Sequence, residues 1–421
     1  MNLSVFKIPD IRNKILFTLF IILVFRVLTH ITIPGVNLEA VRAFVNNNQF
    51  LGLFDLFSGG GLQNFSIVIL GLAPYINASI IIQLLTTVVP SLEELQKEGE
   101  YGREKLNQYT KLLTLPIGIV QSFGFYALLK NQVGIIPDLA TVDMMIVILS
   151  MLAGTFILMW IGDLLTEKGL GNGISLLIFV GIISALPQSV IRFYELLRPE
   201  TFLNALIFGS ALIGVTALIV YLNEAVKNIP VEYGRRVASG GSVVNSSLPL
   251  KVNQVGVIPV IFASSIVLVP SFLGSYLLTQ NFTWSSDIGN FLVANFQANS
   301  LLYNILMFLL VIGFSYFYTS LQFNPNKIAD DVKKRGGFIP GIRPGKNTSD
   351  HLRVILNRIT LGGGIFLGFI SILPFIVHKT IGFDAFSLGG TSLLIVVSVI
   401  LETIRKAESL VVSKKYDSFL D

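Results

Sequence analysis

The sequence predicts an all-α, polytopic membrane protein with ten transmembrane helices, and three observations carry that prediction. Charged residues make up 13% of the 421-residue chain, about half the ~25% usual in soluble domains. Hydrophobic residues reach 52% and the mean hydropathy is +0.73. The apolar residues fall into ten segments close to the ~20 residues a helix needs to cross a bilayer. A soluble chain this long would divide into several domains and would need charge to wet them. Zero cysteines exclude a disulfide framework, thiolate metal sites and a cysteine nucleophile. His30, His351 and His378 lie far apart in sequence, so neither a metal nor another cofactor is expected.

The expected spans, in order, are Ile15–Ile33, Ser66–Val89, Leu112–Leu129, Val142–Ile161, Ile174–Ile191, Leu203–Leu222, Val255–Leu273, Leu301–Leu321, Ile359–Val377 and Phe386–Ile404. The first follows Lys7, Arg12 and Lys14 but is too long for a signal h-region and lacks a small-residue cleavage site, so it is read as an uncleaved span. Pro74 is expected to kink the second, and Pro187 interrupts the fifth. The tenth is short before Glu402.

An even number of spans puts both termini on one side, and the Lys/Arg count names it. Of the 30 Lys and Arg, 24 lie in one alternate set of segments and 5 in the other, while Arg26 lies within the first span. Both termini are therefore expected in the cytoplasm, and the pI near 9.2 needs no nucleic acid to explain it. Five spans lie on each side of Arg198-Pro199-Glu200, giving halves 1–198 and 199–421. An odd number per half forces opposite orientations, the arithmetic of an inverted repeat around a central pathway.

Two cytoplasmic loops are long, 223–254 and 322–358. The second carries eight basic and three acidic residues, with rigid turn chemistry at Gly336-Gly337 and over Pro340–Gly345. This exceeds what orientation requires and points to a shaped docking surface for an acidic partner.

The residues before the second span, from Phe50 to Gly61, are apolar, too short to cross, and end in Gly59, Gly60 and Gly61. Two readings fit: a re-entrant segment in a watery cavity, or an interfacial helix on the outer surface. Asn77 and Gln83 are costly against lipid and belong against other helices or a pathway. Gly169–Gly173 lacks both a preceding strand and the GxGxxG spacing, and Pro340–Lys346 lacks the first glycine of a P-loop, so neither binds nucleotide. Arg26 and His30 apart, the spans carry charged groups only at their edges (Asp143, Glu402), which counts against a proton or ion pump. Leu72 with Ile76, and Ile174 with Ile178, repeat at one-turn spacing; this is either core packing or an aliphatic constriction that gates by dewetting.

Five stretches, PYINASIIIQLL (Pro74–Leu85), GLGNGISLLIF (Gly169–Phe179), LPLKVNQVGVIPVIFASSI (Leu248–Ile266), FIPGIRPGK (Phe338–Lys346) and GGTSLLIVV (Gly389–Val397), closely resemble the bacterial SecY family, the central subunit of the protein-conducting channel. The resemblance implies a clamshell of two five-helix halves around an hourglass pore. It implies a pore ring of Leu72, Ile76, Ile174, Ile178, Ile261 and Ile395, with Leu72 departing from the more usual isoleucine. It makes residues 50–62 a plug, with Leu53, Phe54, Leu56, Phe57 and the three glycines at its heart, and gives the lateral gate a polar cluster of Asn77, Gln121 and Ser265. Arg235, Arg236 and Arg343 would dock the ATPase SecA or the ribosome, although Glu224 and Glu232 weaken the first loop's positive charge.

The function so implied is passive, gated passage of secretory polypeptides across the plasma membrane and lateral release of membrane segments into lipid. Expected partners are SecE and SecG, SecA, the ribosome, signal sequences, nascent polypeptides and membrane lipids. A secondary transporter with broken helices is the alternative from residues alone. An intramembrane enzyme lacks any nucleophile or metal constellation, so no enzymatic activity is expected.

Overall fold

The computed structural model describes residues 9–34, 36–47, 51, 55, 58–130, 141–195, 202–233, 245–254, 256–267, 269–278, 283–297, 299–381 and 390–420. Each of the ten apolar segments contains a helix. They are α1 (Pro9–Leu28), α3 (Ala73–Val88), α5 (Glu100–Lys130), α6 (Thr141–Lys168), α7 with α8 (Gly173–Ser184, Leu186–Glu195), α9 (Phe202–Glu224), α10 with α11 (Ile258–Val267, Val269–Leu277), α13 (Leu301–Gln322), α15 (Lys346–Ile381) and α16 (Gly390–Leu420). The short helices α2 (Leu38–Asn47), α4 (Pro90–Lys97), α12 (Thr283–Asn295) and α14 (Pro325–Lys334) connect them. Four of the described helices are individually long and apolar enough to cross a membrane.

Two departures from the expected spans have local causes. The second helix begins at Ala73, not Ser66, and residues 67–72 form turns. Pro74 sits in the first turn of α3, where its missing N–H costs nothing, so it starts this helix instead of kinking it. The fifth segment breaks at Ala185, one residue ahead of Leu186-Pro187. At 36 residues, α15 is about 54 Å long, far more than the ~30 Å hydrocarbon core, so its polar first turns project beyond it.

One continuous apolar cluster runs through the molecule, with buried residues from α1, α3, α6, α7, α9, α10, α13, α15 and α16. Large side chains on the opposite face of α1, namely Leu16, Leu19, Phe20 and Leu23, stay exposed, as a helix facing lipid requires. Small residues bring backbones together: a Cβ on Gly173 would lie 2.0 Å from the Gly162 carbonyl oxygen, and one on Gly154 only 1.8 Å from that of Ile67. Helices of the two sequence halves meet where α3 packs on α10, α5 on α11, and α7 on α16.

The structure adds a small sheet that the all-α reading did not contain. Strands β1 (Val226–Tyr233) and β2 (Asn245–Lys251) form an antiparallel hairpin, and β3 (Gly337–Phe338) pairs on its other side in the order β2-β1-β3. Glu232 faces Phe338 and Tyr233 faces Gly337, so the two long basic loops are joined backbone to backbone. Beneath them Ile229, Val231, Leu250, Ile339, Leu352 and Leu356 form a separate buried cluster, which makes the loop pair a folded unit.

Candidate functional site

The six aliphatic residues expected to form a constriction come from four helical segments and share one large apolar cluster. Leu72 is the N-cap residue of α3, Ile76 lies one turn on, Ile174 and Ile178 lie on α7, Ile261 on α10 and Ile395 on α16. Leu72, Ile76, Ile178, Ile261 and Ile395 belong to the central cluster, with Ile395 fully buried, and Ile174 packs against it half-buried. The α7 pair is aimed by a tight turn. Asn172 Oδ1 accepts from the backbone N–H groups of Ile174 and Ser175 at 3.1 and 3.2 Å, and Thr166 Oγ1 accepts from Gly173 N at 2.9 Å. Gly171, at φ +95°, supplies the left-handed residue this cap needs.

The glycine-rich segment lies against the same core. Of the residues expected to form the plug, Leu53, Phe54, Leu56 and Phe57 fall outside the described residues, as do Arg235 and Arg236 of the first basic loop. Leu51, Asp55 and Ser58 are helical and buried. Gly60 N donates to Asp55 O at 3.0 Å, closing the last helical turn, and Gly59 and Gly60 follow with φ +72° and +83°. The Asp55 carboxylate accepts from the N–H groups of Leu62 (2.8 Å) and Gln63 (3.1 Å), so the chain folds back on its own cap. The Arg26 guanidinium donates to Gly59 O at 2.9 Å. A Cβ on Gly59 would stand 2.9 Å from Phe25 Cζ and 3.2 Å from Gly181 Cα, so this turn is wedged between α1 and α7.

At the seam between halves, Asn77 and Gln121 are half-buried and, among the described residues, their side chains make no hydrogen bond. Ser265 Oγ donates within its own helix to Ile261 O at 3.0 Å. The polar contact across the seam is made elsewhere: Tyr318 of α13 donates its hydroxyl to Gln83 Oε1 of α3, and Gln83 Nε2 donates to Ser79 Oγ at 2.9 Å. Tyr318 is held edge-on to Phe262 of α10, with centroids 5.2 Å apart, and Phe262 meets Phe314 the same way at 6.0 Å. Gln83 was visible in the sequence as a costly amide, but nothing there pairs it with a tyrosine 235 positions on.

On the basic side, the turn expected at Pro340–Gly345 forms. Gly341 and Gly345 take φ +79° and +102°, Ile342 N donates to Ile339 O at 3.0 Å, and Thr348 Oγ1 donates to Arg343 O at 3.0 Å. The Arg343 backbone is thus tied down while its side chain is exposed. The root of the hairpin is also tied. Asn253 Nδ2 donates to Asn223 Oδ1 (2.7 Å), Asn223 Nδ2 to Ser398 Oγ (3.1 Å), and Arg405 to both Asn223 O (2.8 Å) and Glu224 Oε1 (2.6 Å). Partial burial, and then the neighbouring Arg405 charge, lower the pKa of Lys251, with Glu224 and Glu402 opposing them. Ser398 lies on α16 one turn from Ile395, so the same helix carries both the hairpin tie and one of the six expected constriction residues.

Comparison with known proteins points one way. The sequence profile of SecY matches residues 66–404. The protein translocase subunit SecY of Streptomyces galbus is 41% identical over 437 aligned positions, covering 99% of this chain and 98% of that protein. A solved SecY channel, described as having a plug domain that stabilises the closed state and maintains a membrane seal, superposes with a TM-score of 0.64 at 20% identity, over 97% of both chains. The Sec61 channel of a canine ribosome–channel complex from the endoplasmic reticulum superposes at 0.60 and 20% identity, again over 97% of both.

Proposed function

The chain belongs to the SecY family of protein-conducting channel subunits, and we propose that it passes unfolded secretory polypeptides through a ring of Leu72, Ile76, Ile174, Ile178, Ile261 and Ile395 while releasing apolar segments sideways into lipid. What supports this is that five of those side chains, from α3, α7, α10 and α16, belong to one apolar cluster and the sixth, Ile174, packs against it. A ring of aliphatic side chains offers an ion no replacement for its hydration shell, yet its side chains can move aside for a polypeptide.

In this reading the chain crosses the plasma membrane ten times, in two inverted halves over 1–198 and 199–421, with both termini in the cytoplasm. Residues 50–62 form the plug over the ring. The lateral gate is the seam where α3 and α5 face α10, α11 and α13. Asn77, Gln121 and Ser265 line that seam, and the Gln83–Tyr318 bond closes it. The sheet-linked loops, with Arg235, Arg236 and Arg343, receive SecA or the ribosome. The ribosome is favoured as one partner by the likeness to a ribosome-bound Sec61 channel. SecE and SecG complete the complex, and the chain itself contributes a conduit, not an enzyme.

Site-specific crosslinking tests the conduit directly. Photoreactive residues at Ile76 and Ile261 should capture a stalled secretory chain, and one at an exposed lipid-facing position such as Leu19 should not. Capture at neither ring position, with the chain stalled in the complex, would defeat the reading.

A further inference from the structure

We propose that α12 (Thr283–Asn295) is an interfacial helix that rests its Ile288–Phe291 flank in the outer leaflet of the membrane, and so fixes the depth of α11, to which it is bound. The inference rests on the reading of ten spans with both termini in the cytoplasm, which puts the connection between α11 and α13 on the outer side.

At 13 residues α12 is about 20 Å long, short of the ~30 Å hydrocarbon core, so it cannot span. It runs back along α11. Ser271 Oγ donates to Phe296 O at 2.7 Å. A Cβ on Gly274 would lie 2.7 Å from Leu292 Cβ and 3.1 Å from Gly289 O, and one on Gly289 would lie 2.9 Å from Leu278 Cγ. Stepping from Leu278 to Ser271 on one helix therefore steps from Gly289 to Phe296 on the other. Ser271 lies inside the seventh expected span and Leu301 opens the eighth, so α12 returns to the edge of the hydrocarbon core.

The helix has three faces. Ser285 and Gly289 are buried, with Leu292 and Val293 half-buried beside them. Ile288 and Phe291, three apart and so on one flank, are 47% and 57% exposed. Asp287 and Asn290, also three apart, are exposed on the other flank. Asn295, which shares the apolar flank, spends its amide on its own helix, where Nδ2 donates to Phe291 O at 2.9 Å. An exposed arc divided in this way fits the boundary between lipid and water. Wholly in water Ile288 and Phe291 would stay wetted, and wholly in lipid Asp287 would lose its hydration. Residues 274–300 contain no Lys or Arg, and Asp287 is their one charged residue, so the attraction is apolar and not directed at acidic headgroups. Exposed apolar side chains continue on both neighbours, with Val269 and Leu273 on α11 and Leu301 and Leu302 on α13. Because α11 also packs on α5, the depth set by α12 is imposed on one side of the seam between the halves.

The chain has no cysteine, so single-cysteine variants can be spin-labelled in the full complex once any cysteine of the partner subunits is replaced. Labels at Ile288→Cys and Phe291→Cys should be relaxed by oxygen and lose access to an aqueous nickel chelate. Labels at Asp287→Cys and Asn290→Cys should do the reverse. All four labels open to the chelate would show a wetted face, and labels at 288 and 291 closed to both reagents would show another subunit covering it; either result overturns the proposal. Should the variants at 288 and 291 fail to accumulate, Phe291→Trp is read in a Trp160→Phe, Trp284→Phe background. Its fluorescence should be quenched by lipids with brominated chains, and quenching by aqueous iodide instead would refute the proposal. An impermeant thiol reagent checks the topology separately: it should modify Asn290→Cys in right-side-out vesicles and not in inverted ones. Modification only in inverted vesicles would overturn the outer-leaflet assignment through the topology reading, whatever the spin labels show.

Discussion

The Tyr318 hydroxyl donates to the Gln83 side-chain carbonyl, bonding helix Leu301–Gln322 to helix Ala73–Val88 across the seam between the two halves of the chain. This is a polar bond in an apolar seam. Interhelical hydrogen bonds in membranes average about 0.6 kcal/mol and reach about 1.7, enough to bias a gate and too little to lock it. Tyr318→Phe keeps the edge-on packing with Phe262 and deletes only the bond. It should raise transport of a preprotein with a weakened signal about threefold, and Gln83→Leu should do the same. The double substitution should equal either single one. Additive effects in that cycle would show that the two residues act separately.

Ile395 is the most deeply buried of the six residues proposed to form the ring. Ile395→Asn places an amide among aliphatic side chains and should hydrate the constriction. The expected result is raised single-channel conductance of the idle complex and looser signal stringency, with preprotein transport retained. Unchanged conductance across polar substitutions at all six positions would make them core residues only.

Arg343 leaves a backbone turn fixed by Pro340, Gly341, Pro344 and Gly345, with its carbonyl bound by Thr348. A guanidinium so held can grip a carboxylate through two hydrogen bonds, which an ammonium cannot copy. Arg343→Glu should abolish SecA-driven transport into inverted vesicles with expression and complex assembly unchanged, and Arg343→Lys should be partly defective. Lys333→Glu or Lys334→Glu should matter far less, since both extend from the exposed last turn of α14. Equal protease-protected preprotein from wild type and Arg343→Glu would leave the loop with a topological role alone.

Gly154 tests the packing itself. A Cβ there would overlap the Ile67 carbonyl oxygen at 1.8 Å, and that carbonyl belongs to the turns leading into α3. Gly154→Ala must push α6 away from those turns, costing about 1–3 kcal/mol or more by the measure of overpacked cores. Gly313→Ala, with nothing within 4 Å, should be neutral or slightly stabilising. Thermal denaturation of the detergent-solubilised complex compares the two. Equal midpoints would mean the α6 contact is soft.

Much of this protein is written in one dimension. The helices of the apolar segments follow from runs of apolar residues, because a bilayer leaves a backbone few ways to satisfy its hydrogen bonds. The Asn172 cap and the Arg343 turn follow from neighbouring residues whose side chains and dihedral limits act over four or five positions. Aliphatic spacing marked Leu72 with Ile76 and Ile174 with Ile178, but by itself did not separate a constriction from a core. Tertiary structure decided what joins residues far apart. It brought six isoleucines and leucines from four segments into one cluster. It paired β1 with β3, turning two basic loops into one sheet-backed surface, although the alternation of buried Ile229 and Val231 in VKNIPVEY was a strand signal already present. It gave Gln83 its tyrosine and Arg26 its glycine carbonyl. An amide or guanidinium inside a membrane announces that it needs a partner, and only the packing of helices determines which partner comes within 3 Å.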